Sequence, residues 1–223
     1  DGAVIKLSNN FNNISKYSDE IIIAGSSVND KSLSNFAMEN NIGGFEFLSC
    51  IPGTVGGGIK MNAGCFNREF RDILISIQVL DKLGRVLTIP AKDINFQYRD
   101  SGLSDDLIFL SASFKGFKKE KKLIKNKMDV LKEKKEKAQP SRIKTSGSTF
   151  KNPINQTDKK VWQLIKESVS LETSFGDATI SKKHCNFFVN KGNAKFKDMK
   201  KLIEYVSENV LKKTGIKLET EIK

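Results

Sequence analysis

Two stretches of small residues, Ile51-Pro52-Gly53-Thr54-Val55-Gly56-Gly57-Gly58 and Asn62-Ala63-Gly64, are where this backbone could approach a ligand most closely. Glycine has no Cβ to hold a ligand off, and consecutive N–H groups in such a turn form a concavity suited to a pyrophosphate. The spacing is neither Gly-x-Gly-x-x-Gly nor the Gly-Lys-Ser/Thr of a P-loop, so a phosphate cradle and a tight structural turn stand as equal readings. Tyr98-Arg99-Asp100-Ser101 offers a second chemistry. A guanidinium can hold a carboxylate or phosphate bidentately and stabilise negative charge as it develops, although an Arg99–Asp100 surface pair is the simpler reading. In Ser146-Gly147-Ser148-Thr149-Phe150-Lys151-Asn152-Pro153 a small-residue turn exposes hydroxyls beside a cation and an amide, and a plain loop also fits. His184 has no metal-ligand company and reads as a helix-cap or core histidine. Cys50, Cys65 and Cys185 are odd in number and too scattered for a disulfide framework or a zinc site, so reduced thiols and no metal are expected.

Strands and helices have to carry these groups. Residues 1–114 alternate between the two signals. Ile21-Ile22-Ile23 is a short buried run and Gly25-Ser26-Ser27 a turn. Asp30 can cap a helix whose Leu33, Phe36 and Ala37 share one face, and Gly43-Gly44 would end it. Residues 73–80 and 85–89 read as strands joined by a hairpin turn at Asp81-Lys82-Leu83-Gly84. Residues 107–114 and Ile94-Asn95-Phe96 are also strand-like. A Lys-rich helix over 115–137, with Leu123, Ile124, Met128 and Leu131 as its apolar stripe, leads to Ala138-Gln139-Pro140. That proline and the run Ser141-Arg142-Ile143-Lys144-Thr145-Ser146-Gly147 break any helix, and a second domain begins near residue 140. Its helices are expected over 159–168, around Val161, Trp162, Leu164 and Ile165, and over 196–212, with Met199, Leu202, Ile203, Val206 and Val210 at helical spacing. A strand, Asn186-Phe187-Phe188-Val189-Asn190, lies between them.

The 223 residues are 38% hydrophobic and 29% charged with four prolines, which excludes a disordered or collagen-like chain. No apolar run approaches the roughly eighteen residues of a membrane span. The start, Asp1-Gly2-Ala3-Val4-Ile5-Lys6-Leu7, lacks the features of a secretory signal, so the cytoplasm is the expected compartment. The net charge is +12, with much of the surplus in the Lys-rich helix, where Lys and Glu are mixed and only Phe114 and Phe117 stand near its start. Nucleic-acid modules interleave aromatics or arginines with their lysines. A solvated helix face is therefore expected, with neither nucleic acid nor membrane as a partner.

Taken together and in order, these segments resemble the UDP-N-acetylenolpyruvoylglucosamine reductases. The likeness runs from Ile42-Gly43-Gly44-Phe45-Glu46-Phe47-Leu48 through Ile51-Pro52-Gly53-Thr54-Val55-Gly56-Gly57 to Met61-Asn62-Ala63-Gly64. It continues in Tyr98-Arg99-Asp100-Ser101, Gln139-Pro140, Gly147-Ser148-Thr149-Phe150-Lys151-Asn152-Pro153, Ser181-Lys182-Lys183-His184-Cys185-Asn186-Phe187 and Leu218-Glu219-Thr220-Glu221. The resemblance implies an α+β chain: an FAD-binding domain of the vanillyl-alcohol-oxidase type over 1–114, the Lys-rich helix and linker over 115–140, and a smaller α/β substrate-binding domain over 141–223. It implies FAD and NADPH as cofactors, a UDP-sugar substrate and a monomer. Ile51, Pro52, Gly53, Thr54, Gly56, Gly57, Asn62, Ala63 and Gly64 would hold FAD, and Tyr98, Lys151 and Asn152 would contact the nucleotide-sugar. By the matching motifs Ser148 resembles the proton donor. Arg99 and Glu221 resemble the pair that stabilises the enol, with Glu219 the rival carboxylate. Glu221-Ile222-Lys223 fits the family pattern of Glu before an aliphatic and a basic residue. The short path from Arg99 to Gln139 matches the subtype without an extra tyrosine-bearing loop.

The departures are specific. The family carries, ahead of the position of Asp1, a strand–helix unit with a Gly-Ala-Gly-Ser-Asn type turn that also holds the FAD pyrophosphate, and the resemblance does not include it. Cys50 stands where glycine is usual, Cys65-Phe66-Asn67 replaces Ala-Tyr-Gly, and Leu171-Glu172-Thr173-Ser174-Phe175 departs from a glycine-rich turn. Two other readings therefore remain beside the reductase: a truncated non-catalytic fragment of it, and a basic anion- or nucleic-acid-binding module.

Overall fold

β-branched residues at alternate positions build the first sheet of the computed structural model, which describes residues 6–140 and 143–222. The readings that fall on residues 1–5, Ser141, Arg142 and Lys223 lie outside the described residues. The chain divides into two compact units, Asp1–Lys134 and Lys135–Lys223.

In the first unit β1 (Ile14–Lys16) and β2 (Ile21–Gly25) are followed by α1 (Asp30–Glu39), β3 (Ile42–Gly43), α2 (Val55–Lys60), the two-residue strands β4 (Gly64–Cys65) and β5 (Arg68–Glu69), then β6 (Leu74–Leu80), β7 (Val86–Pro90), β8 (Ile108–Lys115) and β9 (Phe117–Lys118). The long strands pair antiparallel in the order β1-β2-β8-β6-β7. Ile22 and Ala24 of β2 and Ile77 and Val79 of β6 turn inward, with a register shift between Gln78 and Val79. Leu33 and Ala37 of α1 cover this face together with Phe45, Phe47, Phe70 and Phe114, whose rings meet 6.0–6.4 Å apart. Gly58 of α2 is where that packing demands glycine: a Cβ there would lie 2.2 Å from a Phe70 ring carbon.

Helix α3 (Lys121–Ala138) starts in this unit and buries Ile124, Met128 and Leu131. Glu46 joins α3's approach to the loop after β3. It is 1% exposed, accepts from the Gly44 N–H at 2.8 Å and meets Lys119 Nζ at 3.0 Å. Burial pushes its carboxyl up, but its backbone hydrogen bond and Lys119 outweigh that and hold it below the ordinary value.

The second unit has β10 (Thr145–Ser148), α4 (Val161–Ser168), β11 (Ser174–Phe175), β12 (Ala178–Ile180), β13 (Phe187–Asn190) and α5 (Phe196–Thr214), with an antiparallel sheet in the order β10-β13-β12-β11. The inward stripe of α5 is Leu202, Val206 and Val210, which packs with Val161, Leu164 and Ile165 of α4 over Ala178, Ile180 and Phe188. Gly215, at φ +73, ends α5 by donating its N–H to Leu211 O at 2.8 Å.

The expected elements differ from the observed ones at identifiable places. Asn29 occupies the cap position of α1, so Asp30 is the first helical residue and turns inward instead of capping. The helix stops at Glu39 because Asn41 adopts φ +58, two residues before Gly43, which sits in a strand. Ile94-Asn95-Phe96 is irregular, with Ile94 buried as a single anchor after a short 3₁₀ turn. The Lys-rich helix begins at Lys121, because β8 and β9 take residues 108–118, and Leu123 is exposed. Trp162 points outward from α4 for the same reason: it lies off the face set by Val161, Leu164 and Ile165.

Candidate active site

In the first unit a cleft of about 580 Å³ opens beside the glycine loop, lined among others by Ser26, Ser27, Thr54, Gly56, Gly57 and Phe109. That volume lies in the range of small-molecule and cofactor sites. The loop is built by pairing with its neighbours: Val55 N–H donates to Val28 O at 2.8 Å and Gly56 N–H to Ser26 O at 2.9 Å. Those two N–H groups are therefore spent inside the protein, and the loop is a tight structural turn there rather than a run of donors. What it offers the cleft is absent bulk. Of its two lining glycines, Gly57 is exposed and a Cβ on it would meet only Thr54 Oγ1, at 3.8 Å, while a Cβ on Gly56 would lie 3.0 Å from Ser26 Cβ. Ser26 Oγ is buried at the cleft wall without a hydrogen-bond partner. Bare glycine faces beside an orphaned hydroxyl fit a flat polar cofactor such as a flavin.

Of the other residues expected to hold a cofactor, Ile51, Thr54, Ala63 and Gly64 are partly exposed and Pro52 is exposed, whereas Asn62 is wholly buried. Asn62 at φ +39 donates through Nδ2 to Glu69 Oε2 at 2.9 Å and Gln97 O at 3.1 Å, and its Oδ1 accepts from the Arg71 N–H at 3.2 Å. Its amide is thus a brace rather than a surface contact. The brace ties α2 to the turn carrying Arg99. Gln97 and Asp100 bridge each other at 2.8 and 3.3 Å, so Tyr98 and Arg99 form the tip, with Arg99 at φ +59 and its guanidinium 5.0 Å above the Tyr98 ring. Ser101 N–H donates to Lys60 O at 3.0 Å, and Lys60 Nζ reaches Leu103 O. A left-handed backbone at a non-glycine residue costs roughly 1 kcal/mol, which these contacts offset, and they fix the backbone turn from which the Arg99 side chain extends over the Tyr98 ring.

In the second unit β10 runs into the segment that carries Ser148, Lys151 and Asn152. Gly147 takes φ +93 where the β10–β13 register shifts, which leaves Ser148 opposite Phe187 and partly exposed. Glu221 N–H donates to Thr149 O at 2.8 Å and Lys151 N–H to Glu219 O at 2.9 Å, so the tail around Thr220 lies against Phe150. Ser148 and Glu221 are therefore brought into one neighbourhood. Glu219 is engaged elsewhere: its Oε1 meets Lys151 Nζ at 2.5 Å. Asn152 Oδ1 accepts from the N–H of Val161, the first residue of α4, at 3.1 Å. His184 is not a helix cap. It packs edge-on to Phe187 with ring centroids 4.9 Å apart, and burial pushes its pKa down. Among the described residues no cluster of His, Cys, Asp or Glu could hold a metal, none of the three cysteines is in a disulfide, and no helix is long and apolar enough to cross a membrane.

Asp30 is the group whose importance the sequence hid. It is fully buried at the start of α1, its N–H donates to Gly53 O at 3.2 Å, and both carboxyl oxygens lack hydrogen-bond partners. Burial raises its pKa to about 7 from an ordinary 3.8. A carboxyl whose pKa is raised on folding costs nothing below its unfolded value and progressively more stability as pH climbs through the folded value. The ceiling is about 4 kcal/mol from a shift of that size. Water reaching the carboxylate lowers it, so Asp30→Asn is expected to stabilise the protein by roughly 2 kcal/mol at pH 8. Urea melts at pH 8 and pH 4 check this: the gain should vanish at the lower pH, and an equal gain at both would refute the buried-charge explanation.

Ser26, Ser27 and Phe109 are the cleft residues that sequence reasoning missed. Only the turn at Gly25-Ser26-Ser27 marked the place, and no short-range pattern announces that a strand 80 residues later completes the wall.

Residues 139–223 match the family model for the UDP-N-acetylenolpyruvoylglucosamine reductase C-terminal domain, and residues 1–90 that of an FAD binding domain. The UDP-N-acetylenolpyruvoylglucosamine reductase of Pelagibacter ubique is 67% identical over all 223 residues, which span 74% of that relative. The Rickettsia typhi protein of the same name is 44% identical, again with 100% of this chain and 74% of the relative covered. The crystal structure of UDP-N-acetylenolpyruvylglucosamine reductase (MurB) from Thermus caldophilus superposes with a TM-score of 0.79 at 32% identity, covering 90% of this chain and 71% of that one.

Proposed function

The chain belongs to the UDP-N-acetylenolpyruvoylglucosamine reductase family, and from that premise we propose that it reduces the enolpyruvyl ether of UDP-N-acetylglucosamine to UDP-N-acetylmuramate, a step of peptidoglycan precursor synthesis. The observation that carries the reading is the glycine-faced cleft with its orphaned Ser26 hydroxyl, inside the stretch that matches an FAD binding domain. When bound, FAD would supply the hydride chemistry, drawing on NADPH and delivering to the enolpyruvyl methylene carbon. Thr54, Gly56 and Gly57 would hold it along the cleft, with Ile51, Pro52, Gly53, Ala63 and Gly64 shaping the loop and Asn62 bracing it.

Hydride addition at the methylene leaves electron density on the neighbouring carbon and its carboxylate, which is an enolate. Arg99 and Glu221 stabilise that enol form, the first as a fixed cation and the second by sharing a proton. Ser148 then hands its hydroxyl proton to the carbon and recovers one from solvent. A serine hydroxyl is a weak acid, but toward a strongly basic carbanionic centre the transfer runs downhill. Tyr98, Lys151 and Asn152 contact the nucleotide-sugar, Lys151 exchanging its Glu219 partner for the diphosphate, and the +12 net charge draws the anion in. We read the enzyme as a monomer acting in the cytoplasm on a small molecule, without nucleic acid or membrane as partners. The exposed, Glu-interleaved face of α3 favours a solvated surface over a nucleic-acid contact.

NADPH oxidation that depends on the enolpyruvyl UDP-sugar, with the product two mass units heavier, tests the proposal. NADPH consumption indifferent to that sugar would refute it. Arg99→Lys is expected to lower kcat by about 10- to 100-fold, because an ammonium has neither the planar fork nor the ring stacking that fix the charge. A variant with wild-type kcat would remove Arg99 from the chemistry.

A further inference from the structure

The motif Ser181-Lys182-Lys183-His184-Cys185-Asn186-Phe187 has no part in the chemistry above, yet one of its side chains does the work of a missing strand. Asn186 is 3% exposed and lies directly before β13. Its carbonyl accepts from the Thr149 N–H at 2.7 Å. Its side-chain amide then grips both polar groups of the next residue, with Oδ1 accepting from the Phe150 N–H at 3.0 Å and Nδ2 donating to Phe150 O at 2.9 Å. Backbone groups at this depth must be paired, and on this edge the pairing comes from a side chain. On the opposite edge of the same segment Thr149 O and Lys151 N–H take the tail, through Glu221 N–H at 2.8 Å and Glu219 O at 2.9 Å. The segment 148–151 is thus held between Asn186 and the tail, with Ser148 at its start and Glu221 hung on its outer edge.

We infer that Asn186 is a positioning residue for the proton-transfer machinery, fixing Ser148 and Glu221 together by clamping the one segment that joins them. The inference rests on the proposed roles of those two residues, which it deepens. The clamp has a specific chemical requirement, a donor and an acceptor on one rigid planar group, which alanine lacks entirely and aspartate ionised supplies only by half.

The test uses Asn186→Ala and Asn186→Asp in the full chain, with two readouts. The first needs no flavin: amide hydrogen exchange at Thr149, Phe150 and Glu221. In the alanine variant all three should lose protection by at least about tenfold, with α5 and the β12–β13 pair unchanged. The loss at Glu221 is the decisive one, because that amide does not touch Asn186. Unaltered protection there would overturn the inference, and so would loss of protection throughout the second unit, which would make Asn186 a general fold determinant. The second readout is transient kinetics of the FAD-loaded protein. Misplacement by about an ångström slows a positioned transfer on the order of 10²-fold. Reduction of the sugar should therefore slow by that amount in the alanine variant and less in the aspartate one, with flavin reduction by NADPH within about threefold of wild type. A rise in KM at constant kcat would overturn it. Ser148→Ala, run in parallel, separates the two claims: normal sugar reduction in that variant removes the parent reading, whereas slow reduction there and normal rates in both Asn186 variants remove only the positioning role.

Discussion

Replacing Ser148 with alanine is expected to leave NADPH reduction of the bound flavin at its normal rate and to slow reduction of the enolpyruvyl sugar by about 10²–10⁴-fold, the usual worth of a positioned proton donor. The asymmetry follows from where Ser148 stands. It lies at the end of β10, after the left-handed Gly147, and its hydroxyl proton is needed only when the sugar's carbon is protonated, a step that flavin reduction by NADPH does not include. Removing one hydroxyl from a partly exposed site should not disturb the fold, because the Thr149–Phe150 backbone is held by Asn186 and the tail. Stopped-flow absorbance separates the half-reactions. Equal slowing of both, or of flavin reduction alone, would take the proton-donor role away from Ser148.

Glu221→Gln should slow sugar reduction by about 10²–10³-fold, since a group that shares a proton with the developing enol is lost while its shape is kept. Glu219→Gln, two residues earlier, should change it only a few-fold, and chiefly through KM. The reason is the pairing: Glu219 Oε1 is engaged by Lys151 Nζ at 2.5 Å, while Glu221 is held by its backbone to Thr149, beside Ser148. Steady-state kcat and KM for the two variants decide between the carboxylates. A large kcat loss in Glu219→Gln with Glu221→Gln near wild type would reverse the assignment.

The parts of this protein that were legible in the sequence are those where one residue type answers a local demand. The hairpin at Asp81-Lys82-Leu83-Gly84 is one: Asp81 Oδ1 accepts from the Leu83 and Arg85 N–H groups at 2.9 Å each, and Gly84 takes φ +77. The α5 stripe is another, because Leu202, Val206 and Val210 recur at the helical period. Ordered small-residue motifs pointed to the family, and the glycine loop does border a cleft. What stayed hidden depends on partners far along the chain. Asp30 reads as a cap until Asn29 takes that position and turns it into the core. Asn186 grips a residue 36 positions away, and neither side of that clamp has a pattern of its own. The glycine loop left a phosphate cradle and a tight turn equally open, and at Val55 and Gly56 the N–H groups are spent on Val28 and Ser26, as a tight turn requires.

If the chain reduces the enolpyruvyl UDP-sugar with a flavin, the two half-reactions must be separable in one sample. A single anaerobic experiment tests this most directly: add FAD to the purified protein, desalt, reduce with one equivalent of NADPH, then mix with the enolpyruvyl UDP-sugar while following the visible flavin band. The flavin should be retained, bleach with NADPH and regain its colour only when the sugar is added, with one UDP-N-acetylmuramate formed per flavin. A protein that emerges colourless, or a reduced flavin that the sugar fails to reoxidise, would contradict the proposed activity.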